Sequence, residues 1–320
     1  LIKTKLIIYL ITIFSFFTSF FFLKFLIPTL SKKFLDNPTE RSSHKFPVPT
    51  GGGISFVLVG IVSSLFLNFW TPLISAPLAF VGFIDDKKSI SALIRYLIQF
   101  LTVLAISLNS NLVDKFGIIG INSLQKIVLI IFLVILGTAI INFINFMDGL
   151  DGIVTINSIL IFFAAVLLGN FYFLPIISAL IGFLILNWSP AKVFMGDVGS
   201  TFIGAIYFGV IINSQSFQDS IFLLIVGIPL LGDAFICVIR RFISGQNIFS
   251  PHKSHLYQRL NQSGISHDKV SILYATLTFI TFINIFKFGL NLLPFYFIFI
   301  TLTYSYMDRY IAVPFSQENN

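Results

Sequence analysis

Five aspartates carry the chemistry legible in this chain. Asp85 and Asp86 are adjacent at the end of an apolar run, Asp148 and Asp151 are three apart, and Asp197 stands between Gly196 and Val198-Gly199-Ser200. Residues three apart share a helix face. Asn142, Asn145 and Asn187 flank the acids. Carboxylates gathered in one place repel each other unless a cation lies among them. A hard divalent ion with oxygen ligands suits such a set, and Mg²⁺ usually keeps one or two protein carboxylates plus substrate phosphates. The adjacent pair alone reads equally well as solvated loop acids or partners for Lys87 and Lys88. The five together point to a metal site.

A second cluster is basic: His252, Lys253, His255 and Arg259, with Arg240 and Arg241 upstream. Two histidines three apart could ligate a metal. The loop offers no cysteine or carboxylate to complete a zinc set, so contact with phosphate is the favoured reading, through charge-assisted bonds. Gly51, Gly52 and Gly53 open an apolar segment, and Gly196 and Gly199 bracket Asp197. Such glycines let backbone N–H groups approach an anion at a helix start, or simply turn the chain. Acids for a metal beside cations for a pyrophosphate suggest phosphoryl transfer, which needs positioning and charge neutralisation more than covalent chemistry.

The elements that hold these residues follow from composition. Of 320 residues, 56% are hydrophobic and 40 are Phe, while only 10% are charged, against about 25% in a soluble domain. Mean hydropathy is +0.95. So few charges cannot clothe a soluble fold of this length, and the chain is expected to be all-α, a polytopic membrane protein forming one domain over residues 1–320. Apolar segments lie at roughly 6–27, 51–69, 71–84, 90–108, 125–142, 152–169, 171–187, 199–212, 219–239, 269–286 and 291–307, giving ten or eleven transmembrane helices at about 20 residues per crossing. The runs are continuous rather than alternating, which excludes a β-barrel. No small-residue cleavage site follows the first run, which reads as a retained helix. The one cysteine, Cys237, forms no intrachain disulfide and reads as packing.

Alternating connections divide the charges unequally. Fourteen Lys/Arg fall on one face, from Lys32, Lys33 and Arg41 to Arg309, and five on the other: Lys3, Lys5, Lys115, Lys126 and Lys287. The positive-inside rule makes the richer face cytoplasmic, with the N-terminus outside, although Lys3 and Lys5 oppose this locally. The net charge of +7 therefore reports orientation and not nucleic acid. Every polar cluster falls on that same face. Asp233 alone lies inside a span, either as a functional acid or as a helix–helix polar contact.

The joint order of HKFPVPTGGG (44–53), GFIDDKK (82–88), NFINFMDGLDG (142–152), NWSPAKVFMGDVGS (187–200) and SPHKSHLYQRL (250–260) resembles the polyprenyl-phosphate N-acetylhexosamine-1-phosphate transferases. This family includes the phospho-N-acetylmuramoyl-pentapeptide translocases and the enzymes initiating O-antigen and teichoic-acid synthesis. The RSSH…PVPTGGG stretch and the HKSHLYQRL loop look most like the O-antigen and capsule branch. The muramoyl branch carries a run of histidines where this chain has His252-Lys253-Ser254-His255, and is kept as an alternative. The resemblance implies cytoplasmic active-site loops in a bacterial inner membrane, with a UDP-activated amino sugar and undecaprenyl phosphate as substrates, UMP as product and Mg²⁺ as cofactor. It implies that Asp197 and Asn145 contact the metal, that Phe194 stacks on uracil with Asp151 beside it, and that Asp148 forms the wall near the metal. Asp85 and Asp86 would face the lipid phosphate. Lys45, Arg95, His252, His255 and Arg259 would contact phosphates or sugar, and Asn187 belongs to the same substrate-binding set. No nucleic acid is expected, and a homodimer is left open.

Two other classes use similar residues. A membrane prenyltransferase would want two DxxxD motifs, whereas the pairs here are DD and DxxD. An ion-coupled transporter would place its acids near span centres, where only Asp233 lies, and no internal repeat is evident.

Overall fold

The structure, a computed structural model, describes residues 2–39, 43–110, 112, 122–248, 250 and 252–315. Arg41 and Lys115, used in the charge comparison above, lie outside the described residues, as do the side chains of Lys3 and Lys5. The described elements are helices α1 (Ile2–Lys33), α2 (Ile54–Leu67), α3 (Thr71–Ile74), α4 (Ala76–Asp85), α5 (Ala92–Leu108), α6 (Ser123–Phe146), α7 (Ile153–Leu167), α8 (Leu174–Asn187), α9 (Asp197–Ile212), α10 (Phe217–Val226), α11 (Ile228–Ile243), α12 (Leu256–Gln262), α13 (His267–Phe288) and α14 (Leu293–Tyr310). One two-rung antiparallel ladder pairs Leu35 with Pro49 and Asp36 with Val48. The chain is an all-α polytopic membrane protein.

Every apolar segment read from the sequence is helical, but not every one is a single rod. The third is broken at Ser75 between α3 and α4, with Pro72 and Pro77 in the two first turns. The ninth bends by 69° at Gly227, between α10 and α11. Proline at a helix start is preorganised for it and cannot continue the helix before it. Leu6–Lys33 and Ser123–Phe146 are each long and apolar enough to cross a bilayer alone. Helices α13 and α14 form a hairpin. Gly289, at φ +65°, starts the reversing turn, and the Thr281–Tyr296 and Tyr274–Tyr304 side-chain contacts set an antiparallel register.

Helix α9 is the hub. All fifteen residues from Val198 to Ile212 are buried, and α9 packs on α2, α4, α5, α6, α7 and α10. Small residues let the backbones close in, as membrane helices require where lipid offers no hydrophobic drive for association. A Cβ at Gly204 would stand 2.6 Å from the Ile141 Cα, and one at Gly199 would stand 2.9 Å from the Gly53 Cα. The outer helices reverse the usual pattern, with Phe14, Phe25, Leu93 and Leu124 between 66% and 82% exposed. Apolar surface on that scale calls for lipid rather than water as the solvent.

Helix α1 lies along α8 and ends in Lys32 and Lys33, cations at the negative end of the helix dipole. The ladder beyond it hands the chain to Gly51–Gly53, which run under the loop before α9: Gly52 and Gly53 donate to the carbonyls of Phe194 and Met195, each at 2.9 Å. Replacing Gly204 with Val should overpack the α9–α6 contact at a cost of about 1–3 kcal/mol or more. A lower unfolding midpoint in detergent checks this, and an unchanged midpoint would contradict the packing described.

Candidate active site

The acids converge where α4 ends and α9 begins. Asp86 lies across the α9 N-terminus and accepts from the backbone N–H of Asp197 at 2.8 Å and of Val198 at 3.2 Å. A helix start presents unpaired N–H groups and partial positive charge, so a carboxylate sits well there. Gly196 makes this approach possible: its φ of +73° is a left-handed conformation, and a Cβ would strike the Asp86 carboxylate. Arg95, in the first turn of α5, donates to Asp85 at 2.9 Å and stands 3.7 Å from the Asp197 carboxylate. Asn145, near the end of α6, donates to Asp197 and to Ser200 Oγ, both at 2.8 Å.

These carboxylates are poorly compensated. Burial, then the charge of Asp197, pushes Asp86 up to about 8 despite the two amide bonds. Burial, then Asp197 and Asp86, raises Asp148 well above the carboxylate range. Arg95 is the one cation among them that pairs with them in the described structure. The oxygen donors Asp86, Asp148, Asp197 and Asn145 therefore fit a hard divalent cation, by donor chemistry and by unrelieved negative charge.

A cavity of about 440 Å³ opens on one side of Asp197. Asp86, Asp148, Asp151, Asn187 and Phe194 line it, together with His44, Gln258 and His267. Asp151 accepts from the Ala191 N–H at 3.2 Å and lies 3.3 Å from His267 Nδ1. Burial pushes its pKa up, but His267 and the Ala191 amide outweigh burial and leave it lowered. Asn187 is spent on structure: it accepts from Thr155 at 2.9 Å and donates to the Val193 carbonyl at 3.0 Å, fixing the loop that carries Phe194. The Phe194 ring stands edge-on to His44 at 4.9 Å. Lys45 is exposed and absent from the lining, where its neighbour His44 stands instead.

A second cavity of about 290 Å³ opens on the other side, lined by Arg95, Tyr96, Asn142, His252 and His255 among others. The two cavities share Asn145, Asp197 and Gln258. The second adjoins an apolar groove of about 540 Å³ through Tyr96, Asn142, Phe146 and Ile248. Both histidines are held uncharged near neutral pH. Burial, then His255 and Arg241, lowers His252 to about 3, and burial, then Arg241, lowers His255 to about 3.

Arg259 turns elsewhere. Its guanidinium pairs with Asp308 and donates to the Val313 carbonyl at 2.8 Å, so it borders a different cavity and leaves the acids alone. Arg240 holds the other side of Asp308 with bonds of 2.9 and 2.7 Å. Of the two readings of Asp233, the structure carries the polar contact. It accepts from the N–H groups of Leu256 and Tyr257 at 2.8 and 2.9 Å and from the Tyr274 hydroxyl at 2.6 Å, capping α12. Sequence reasoning missed Gln258, His44 and His267. Gln258 is the most consequential, because it borders both cavities one turn from His255.

The family model for glycosyl transferase family 4 matches residues 68–215. The chain is similar to a decaprenyl-phosphate N-acetylglucosaminephosphotransferase of Mycobacterium leprae, at 31% identity over 74% of this chain and 72% of that protein. It is similar to an undecaprenyl-phosphate alpha-N-acetylglucosaminyl 1-phosphate transferase of Salmonella typhi, at 30% over 82% and 78%. A probable undecaprenyl-phosphate N-acetylglucosaminyl 1-phosphate transferase of Bacillus subtilis is 27% identical over 76% and 74%.

Raised carboxylate pKa values have a thermodynamic sign. Asp86 and Asp148 hold protons more tightly folded than unfolded, so the stability they lend is complete below the unfolded carboxylate range near pH 4; the Asp86 share is lost as pH climbs through about 8, and Asp148 acts in the same direction. Metal-stripped protein should therefore unfold at a lower temperature at about pH 8 than at about pH 5.5, with a smaller difference in Asp86→Asn. Added Mg²⁺ should raise the midpoint more at the higher pH. Equal Mg²⁺ effects at both values would show that these acids hold no cation.

Proposed function

This chain belongs to the polyprenyl-phosphate N-acetylhexosamine-1-phosphate transferases of glycosyl transferase family 4, and we propose that it transfers N-acetylhexosamine-1-phosphate from a UDP-amino sugar to undecaprenyl phosphate, releasing UMP. The observation that carries this is the meeting of two cavities at Asp197 and Asn145, one lined mainly by polar and acidic side chains and one opening onto an apolar groove. A water-borne nucleotide and a lipid-borne phosphate need such an arrangement. The relatives' names support N-acetylglucosamine as the first donor to try. The charge asymmetry supports a site facing the cytoplasm of a bacterial inner membrane.

In this reading the uracil lies against Phe194, with the ionised Asp151 accepting from its ring N–H. The pyrophosphate reaches toward Asp197, and the polyprenyl chain occupies the groove bordered by Tyr96 and Phe146. Mg²⁺ would be held by Asp197 and Asn145, with Asp86 and Asp148 behind them, and supplies neutralisation of pyrophosphate charge. An oxygen of the lipid phosphate attacks the β-phosphorus, and the bond from that phosphorus to the bridging oxygen breaks, so that UMP departs with the electron pair. A phosphate monoester has its second pKa near 6 and is mostly dianionic at pH 7, so little base help is needed. Asp85, bonded to Arg95, then serves to aim Arg95 at the acceptor phosphate rather than to remove a proton. His252 offers a neutral hydrogen bond in the same cavity.

Purified protein supplied with a panel of UDP-N-acetylhexosamines, undecaprenyl phosphate and Mg²⁺ should release UMP, and EDTA should stop it. Absence of UMP with every donor would overturn the reading. Asp197→Asn should lose about 10²-fold or more in kcat. Asp85→Asn should raise the KM for the lipid, and raising the pH should not restore it. Recovery at high pH would instead assign Asp85 as a base.

A further inference from the structure

The histidine loop holds no cysteine or carboxylate of its own to complete a zinc set. The fold supplies one from another element. We propose that Cys237, His252 and His255 form a binding site for a thiolate-seeking divalent metal, with Zn²⁺ as the reference ion, distinct from the carboxylate cluster.

Cys237 lies on the last two turns of α11, and His252 and His255, which follow that helix in sequence, lie against it. One ligand atom from each of the three residues lies within 4.8 Å of the others. The two imidazole rings are 4.9 Å apart at their centroids and 27° from parallel. Tetrahedral zinc with bonds of about 2.0–2.3 Å needs ligand atoms roughly 3.4–3.6 Å apart, which small side-chain rotations supply. His255 is 3% exposed, and its Nδ1 stands 3.8 Å from the Asp233 carboxylate, leaving Nε2 for an ion. A carboxylate behind a histidine is the usual support for a ligand imidazole. His252 is held by one long contact, 3.3 Å from the Ser254 N–H to Nδ1, which a metal bond would readily displace.

The surrounding charge selects the kind of ion. Arg240 and Arg259 are both paired with Asp308, and Arg241 donates to the Asn247 carbonyl and Ser250 Oγ, each at 2.8 Å. Neutral imidazole is the form that ligates. The same arginines repel a bare cation, so an ion that merely prefers oxygen gains nothing here. Zn²⁺ brings Cys237 to the thiolate, whose charge compensates the ion, and thiolate preference separates it from Mg²⁺. Once bound, it would fasten the loop to α11 and draw His252 from the cavity that it shares with Arg95 and Asp197.

The test uses Co²⁺ as a spectroscopic stand-in, on reduced, detergent-purified full chain without substrates. Cys237 is the sole cysteine, so any thiolate-to-cobalt charge-transfer band belongs to it. Wild-type protein should bind one Co²⁺ with that band, Zn²⁺ should displace it, and excess Mg²⁺ should not. Cys237→Ser should lack the band and bind Zn²⁺ at least tenfold more weakly. His252→Ala should also weaken Zn²⁺ binding while its unfolding midpoint shows that it folds. No band in wild type, or equal Zn²⁺ affinity in Cys237→Ser, would overturn the site. Neither readout depends on transferase activity: failure to release UMP would sink the proposed reaction and leave the cobalt spectrum as it is.

Discussion

The Asp86 carboxylate on the first amides of α9 is the contact from which the rest of the site is organised. A half-buried acid in a mostly apolar chain is costly, and two backbone N–H groups offset part of that cost for this one. The same contact fixes where α4 ends against where α9 begins. It thereby sets Asp85 beside Arg95, and Asp197 beside Asn145. Gly196 has no side chain because Asp86 occupies that space. The centre of the site is thus a helix end held by an acid, and the acids around it carry more negative charge than the protein itself relieves.

Asp233 repeats the device across the molecule. It lies on α11 and caps another helix, the short α12, with Tyr274 adding a third hydrogen bond. The two caps have opposite electrostatic settings. Asp233 has Arg259 close by and, among the described residues, no second carboxylate at its cap, while Asp86 faces Asp197. One fastens a loop, and the other stands among further carboxylates. Asp308 makes a third anchor, clasping Arg240 and Arg259 and tying the end of α14 to α11 and α12. These anchors hold the loops that the apolar spans, packed by shape alone, could not position.

The two sides of Asp197 explain how one site handles reactants of opposite solubility. The side with Phe194 and Asp151 is polar and bordered by loops. The side with Arg95 runs into aromatic and aliphatic side chains of α5 and α6. The two sides meet at Asn145, Asp197 and Gln258, which α6, α9 and α12 carry.

The sequence by itself determined the class of molecule and the location of its chemistry. Apolar runs of bilayer length admit helices and little else, and the asymmetry of Lys and Arg gave the polar motifs one common face. The spacing of Asp148 and Asp151 and the glycines around Asp197 marked the acids before any fold was known. The tertiary structure alone decided the partners. Arg95 meets Asp85 ten residues away, but Arg259 meets Asp308 at a separation of 49 and lines neither cavity at Asp197. Asn187 serves Val193, Gln258 enters both cavities, and Cys237 comes beneath two histidines of a loop that contains no thiol. The reason is physical: hydropathy and turn residues act locally along the chain, whereas the pairing of a buried charge depends on which helices pack together and on the rotation of each about its axis.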